Sequence, residues 1–335
     1  MKKLLITLSV IALGAFIVML IGITLTGISF PYDKTLNQER VFSVLKGQDV
    51  LSISGNLEKE KLIKNHWFFE IAVLLRNGAA KLQAGYYKLS QAMTPLEIAD
   101  KIINGDVAKE ILTIPEGWNI RDIDHYLKTK GFIEDNEFLQ ASKRDYSAEF
   151  SFLKDKPKHL NLEGYLFPDT YYLKIGDNPE TLVRKMLNNF DKKLVPDLKS
   201  EIDNQGKTVS EIVNMASLLE KEVKTIEDKK IVSGILWKRI KIDMYLNVDA
   251  AIAYALNKKT GGLSAGDTKI DSPYNTYMYK GLPPGPISNP GLDSILAAIY
   301  PKESLNLYYL STPEGKTVFS KTLQDHIIAI EKYLK

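Results

Sequence analysis

The first thirty positions and the rest of the chain follow different polarity rules. Lys2 and Lys3 precede LLITLSVIALGAFIVMLIGITLTGI, a run from Leu4 to Ile28 without a charged residue. About 20 apolar residues suffice to cross a bilayer core as a helix, so this run predicts one membrane-spanning helix. It exceeds the apolar region of a cleavable signal peptide, and no Ala-x-Ala follows it. The two lysines place the amino terminus in the cytoplasm, with everything from about Pro31 outside the inner membrane on a single-pass signal-anchor.

Beyond the anchor, residues 31–110 read as a first unit. Val41–Val44 and Gly85–Leu89 read as short strands, and Val50 to Ile63 as a helix weakened by Gly55. Trp67 to Leu75 is an apolar stretch that periodicity alone does not assign. Thr94-Pro95-Leu96-Glu97 is a helix start: an N-cap Thr, Pro at the first helical position and a Glu three residues on. The texture changes near residue 110, and 111–335 reads as a larger domain. Ile111–Pro115 reads as a strand, and Asn119 with Asp122 caps a helix ending at Gly131. Residues 134–160, charged and irregular, read as a surface insertion. Further helices are expected from Pro179 to Phe190, from Thr208 to about Lys224, and after Thr225. The chain ends in a strand pair and a final helix. Helices and strands alternate without βαβ regularity, so the expected class is α+β. An internal repeat at an offset of 70 residues matches Gly47, Val50, Ile53, Leu57, Leu62 and Ile63 with Gly117, Ile120, Ile123, Leu127, Phe132 and Ile133.

Composition narrows the chemistry. The 335 residues carry a formal net charge of only +3, which argues against a nucleic-acid binder. The absence of cysteine excludes disulfides, thiol nucleophiles, iron–sulfur clusters and Cys-containing zinc sites. The four histidines are scattered, without a helical His pair, so no metal and no cofactor is expected.

Three stretches can carry chemistry. Leu162-Glu163-Gly164-Tyr165-Leu166-Phe167-Pro168-Asp169-Thr170-Tyr171-Tyr172 mixes carboxylates with aromatic rings, as sugar sites do; as packing, it is a turn against the core. The helix Ile212–Val223 has a broad apolar arc that leaves Asn214, Ser217, Lys221 and Lys224 on a wet face. Glu220 and Glu222 border that arc about 200° apart at 100° per residue, so they cannot share one site. Partial burial raises a carboxyl pKa, as a general acid requires, but the helix geometry leaves open which one faces a cleft. Both also read as ordinary surface glutamates paired with lysines. The third stretch, Ser272-Pro273-Tyr274-Asn275-Thr276-Tyr277 followed by GLPPGPISNPG from Gly281 to Gly291, is a loop long enough to be functional.

Taken in order, LEGYLFPDTYY, ASLLEKE, SPYNTY, GLPPGPISNPG and Phe319-Ser320-x-Thr322 to His326 resemble the endolytic murein transglycosylase (YceG-like) family, from the anchor to the carboxyl terminus. The resemblance implies a LysM-like peptidoglycan-binding unit in 31–110 and a catalytic domain in 111–335. It implies cleavage of the β-1,4 bond between N-acetylmuramic acid and N-acetylglucosamine within glycan strands, leaving 1,6-anhydro ends. Glu220 is the implied acid. Glu163, Asp169, Ser217, Asp249, Asn275 and Asn289 are the implied substrate-contacting or orienting groups, with Tyr165, Tyr171 and Tyr277 as ring platforms. Implied partners are peptidoglycan strands, the inner membrane and peptidoglycan synthases. Two departures stand out. Asp249-Ala250-Ala251-Ile252-Ala253-Tyr254 keeps only the Asp and Tyr of the family's Asp-Pro-Thr-Val-x-Tyr, and Thr317 stands where His is common. A non-catalytic envelope scaffold, or a hydrolase pairing Glu220 with Asp249 or Glu163, are the rival readings.

Overall fold

The computed structural model describes residues 2–194, 196–258, 263–264 and 266–334. The chain divides into two compact units, Met1–Glu110 with Tyr172–Asp177, and Ile111–Tyr171 with Asn178–Lys335. Among the described residues there are thirteen α-helices and six strands, the strands paired two by two. The architecture is therefore mixed, without an extended sheet.

The first unit begins with α1 (Lys2–Ser29), long and apolar enough over Thr7–Ser29 to cross a membrane. Then come β1 (Arg40–Val44), α2 (Val50–Lys59), α3 (His66–Leu75), β2 (Gly85–Leu89) and α4 (Pro95–Asn104). β1 and β2 pair antiparallel, from Arg40 opposite Leu89 to Val44 opposite Gly85. α2, α3 and α4 each start at a side-chain cap: Asp49 accepts from the Ser52 N–H, Asn65 from Trp67, and Thr94 forms a reciprocal box with Glu97. The core joins Phe42, Ile53, Leu57, Phe69, Val73, Tyr87 and Ile98. The ambiguous stretch at 67–75 is thus a helix, and it buries Phe69, Ala72 and Val73.

β3 (Lys109–Thr113) leads to α5 (Ile120–Thr129) and α6 (Glu137–Ala141). β4 (Thr170–Lys174) pairs with β3, and α7 (Pro179–Lys193) and α8 (Pro196–Asn204) follow. The sequence repeat has matching local geometry. Gly47 and Gly117 both take positive φ, 87° and 77°. The helices after them span 50–59 and 120–129, capped by Asp49 and Asn119. Ile53 and Leu57 are buried in one copy, Ile123 and Leu127 in the other.

The second unit is centred on α9 (Val209–Glu222), followed by α10 (Ile226–Lys241), α11 (Asp249–Leu256) and α12 (Leu292–Ile299). β5 (Tyr308–Ser311) and β6 (Thr317–Ser320) form an antiparallel hairpin, and α13 (Leu323–Tyr333) packs on it. Two expectations need correction here. Residues 134–160 are not a surface insertion: Phe138, Tyr146, Phe150, Phe152 and Leu153 are buried, and Phe152 lies 4.8 Å from the Phe190 ring. Their aromatics follow no helical or strand period, so the intervening charges dominated the pattern. Half of the wet face of α9 is also covered: Asn214 and Ser217 are buried under the proline-rich segment, whereas Lys221 and Lys224 are exposed as expected. Asn214 Nδ2 donates to the Pro283 carbonyl at 2.6 Å, and the Ile287 N–H donates to Ser217 Oγ at 3.0 Å. These side chains satisfy backbone groups of a loop that has no strand or helix partners of its own.

Candidate active site

α9 runs through the core of the second unit and stops at Glu222, where Val223 turns extended. Beside this end lies a cavity of about 650 Å³. Its wall combines Lys221 and Glu222 with Arg239 from α10, Asn247, Asp249 at the start of α11, Tyr277, and Tyr308 to Ser311 of β5. Leu323, His326, Ile330 and Leu334 add a largely apolar side from the end of the chain. Such a surface, with tyrosine rings beside charged and hydrogen-bonding groups, suits a sugar better than a wholly apolar ligand.

Glu222 keeps part of its surface open to the cavity while its carboxyl sits deep among protein atoms. Burial pushes that carboxyl up to about 7, and the charge of Asp249 adds to the shift; the Tyr309 hydroxyl, the Ala250 N–H and the Arg239 cation work against it. Tyr309 donates to Glu222 Oε2 at 3.0 Å. Across the cavity wall, Tyr277 donates to Asp249 Oδ1 at 2.7 Å.

Arg239, which is buried, holds this arrangement through backbone carbonyls. Its Nε donates to Leu307 at 2.8 Å and its Nη1 to Leu246 at 2.7 Å, fixing the start of β5 and the segment before Asn247. Its guanidinium lies 5.2 Å from the Tyr308 ring, on which His326 stacks at 5.3 Å.

Glu220 faces elsewhere, as the angular separation on the helix requires. Its Oε2 accepts from Lys229 Nζ at 3.2 Å, the Gly291 N–H at 3.1 Å and Ser294 Oγ at 2.6 Å. The Glu220 and Lys229 side chains are only 10% and 5% exposed. Glu116 stands beside them, its carboxyl pushed up by burial and by the Glu220 charge. Glu220 is not on the wall of the Glu222 cavity.

Of the other expected site residues, the structure brings Asp249 and Tyr277 to that wall. Most of the rest make internal bonds. Glu163 is buried, accepting from the Ile120 N–H and Asn289 Nδ2 at 3.1 Å and from the Tyr254 hydroxyl at 3.2 Å. Burial raises its carboxyl to about 8 against those donors. Asn289 accepts from the N–H groups of Gly164 and Leu166, and Asn275 donates to the carbonyls of Thr268 and Ile270. Tyr165 packs against Phe152 and Phe190, and Tyr171 donates to the Phe167 carbonyl at 2.5 Å. Ser217 is covered by the proline-rich segment. Asp169 is exposed and accepts from Asn189 at 2.9 Å, away from the cavity wall. Arg239, Tyr308 and Tyr309 carried no functional signal in the sequence, and His326 entered only as the end of a stretch that carries the resemblance. Arg239 reads as a basic residue in a helix's last turn, and the tyrosines read as strand.

Comparison with known proteins gives one consistent result. The model of the YceG-like family matches residues 42–332. An endolytic murein transglycosylase of Streptococcus pneumoniae serotype 2 is 34% identical over 324 residues, 88% of this chain. One from Bacillus subtilis is 32% identical over 317 residues, covering 91% of this chain and 87% of the relative. The chain spans only 58% of the length of the streptococcal relative. The 2.6 Å crystal structure of a yceG-like protein from Listeria monocytogenes matches 88% of this chain and 99% of its own, with 31% identity and a TM-score of 0.60.

Proposed function

This chain belongs to the YceG-like family, and we propose that it is a membrane-anchored endolytic transglycosylase of peptidoglycan in which Glu222 is the catalytic acid. One observation carries the reading: a carboxyl raised to about 7 opens onto a tyrosine-lined cavity large enough for sugar rings. At neutral pH about half of such groups hold a proton to give. Glu222 protonates the glycosidic oxygen as the bond from the muramyl C1 breaks. The resulting carboxylate takes the proton of the muramyl C6 hydroxyl as that oxygen bonds to C1. The product is a 1,6-anhydro end, and the proton count on Glu222 is restored. The internal hydroxyl replaces the activated water of a hydrolase, so one carboxyl suffices. Glu220, the acid that the resemblance implies, has three donors on Oε2 and, among the described residues, no partner on Oε1, so it is the rival acid of this reading.

Two finer assignments belong to the same reading. The β1-α2-α3-β2 order supports a LysM-like glycan-binding role for the first unit. α1 supports anchoring in the inner membrane, and Lys2 and Lys3 support a cytoplasmic amino terminus. Synthases that extend the strands are the expected partners.

A second reading has one specific observation behind it: Asp249 shares the cavity with Glu222, so a water activated between two carboxylates would give a hydrolase. Digestion of purified glycan strands followed by mass spectrometry separates the two. Anhydro-muramyl ends are expected, and reducing ends would establish the hydrolase. Glu222→Gln is expected to lose about 10³-fold in turnover with the fold intact. Full activity in that variant would remove Glu222 from the mechanism.

A further inference from the structure

α3 has an unusual surface for a ten-residue helix on the outside of a folded unit. One face, Phe69, Ala72 and Val73, enters the core of the first unit. The opposite face is also apolar, with Trp67 59%, Leu74 71% and Leu75 58% exposed. Positions 67 and 74 lie seven residues apart, nearly in line along the helix. A surface helix normally turns polar residues outward, and one that is apolar all round expects a second apolar neighbour.

The location of α3 identifies that neighbour. α3 packs against α1, the helix read here as the membrane span. At Gly27 the Phe68 ring occupies the space a Cβ would fill. Gly27 lies two residues before Ser29, about 3 Å along the axis from the end of the apolar span. The contact is thus at the depth where hydrocarbon gives way to headgroups. Phe30 follows, 51% exposed, with Lys34 Nζ 5.1 Å from its ring. Lys64, just before the Asn65 cap, acts on Asp33 beside the same helix end. Aromatic rings with lysines reaching past them are the composition of a membrane–water boundary.

We propose that α3 seats its Trp67, Leu74 and Leu75 face in the headgroup–acyl boundary of the bilayer that α1 crosses, so that the first unit is held against the membrane by two helices. This rests on the reading of α1 as a membrane span. A second contact fixes how the first unit stands on the membrane, which a single flexible tether does not.

The test uses the full chain in phosphatidylcholine vesicles with bromine placed near the headgroup or near the chain ends. The readout is the wild-type emission minus that of Trp67→Phe, which isolates Trp67. Blue-shifted emission, quenched roughly twofold more by shallow than by deep bromine, is expected. Leu74→Glu combined with Leu75→Glu should relieve that quenching. A Val18→Trp variant reports the span separately, through quenching by deep bromine. If that variant is quenched while Trp67 stays solvent-like, the α3 proposal fails and the anchor stands. If neither is quenched, the anchor reading fails and takes the proposal with it. Shielding of Trp67 that follows protein density without bromine quenching means a second copy covers the face, which also overturns the proposal.

Discussion

The separation of roles between Glu220 and Glu222 is open to a thermodynamic test at Lys229. Lys229 and Glu220 form a pair at 3.2 Å with side chains 5% and 10% exposed. Lys229→Met leaves a buried carboxylate with only the Gly291 N–H and the Ser294 hydroxyl as donors. Breaking one side of such a pair costs about 3–5 kcal/mol, because the surviving charge stays buried without its partner. Glu116, beside the same ammonium, adds to the cost. In a domain of this size each kcal/mol moves the melting temperature by about 2–4 °C, so a fall of roughly 6–20 °C is expected. Glu220→Gln strands the ammonium instead and should cost a similar amount. The double variant loses less than the sum, with a coupling of about 2 kcal/mol or more. The assay is thermal or urea unfolding of all four proteins, with turnover measured below every melting temperature. Turnover per folded molecule should stay within about threefold of wild type throughout, since none of these changes touches the Glu222 cavity. A Glu220→Gln protein that keeps its stability but loses its turnover would refute the reasoning and return the acid role to Glu220.

Two further predictions concern titration. Tyr309→Phe removes a donor that lowers the Glu222 carboxyl, so the Glu222 pKa rises and the alkaline limb of the activity profile moves to higher pH. A hydrogen bond to a charged group is worth about 1.5–3 kcal/mol, which corresponds to roughly one to two pH units; a limb that stays in place would separate Tyr309 from the acid. The second concerns Glu163 and stability. Its folded value of about 8 lies above the ordinary glutamate value, so between the two the native state keeps a proton that the unfolded chain releases. Its stabilisation is complete below the unfolded value and is lost as pH rises through the folded one, with a slope of up to about 1.4 kcal/mol per unit. In a Glu222→Gln background, Glu163→Gln should flatten stability between pH 5 and 8 in urea unfolding; parallel curves would show that Glu163 does not titrate there.

Much of this protein was legible in its local chemistry. A long charge-free run defines α1. Thr94, Asn119, Thr208 and Thr225 each cap the helix that follows, because capping depends only on residues three or four positions apart. The same short-range geometry separated Glu220 from Glu222. What local pattern could not carry was which of them meets the cavity. Glu220 is claimed by Ser294, 74 residues away, and Glu222 by Tyr309, 87 residues away. Asn289 reaches back 125 residues to Gly164, so its amide braces the turn at 164–166, a contact that no local pattern announces. Periodicity reports the face a residue occupies on its own helix or strand. Only the packing of distant elements decides whether that face meets solvent, a proline-rich cover or an open cavity, and so whether a polar side chain is structural or free to react.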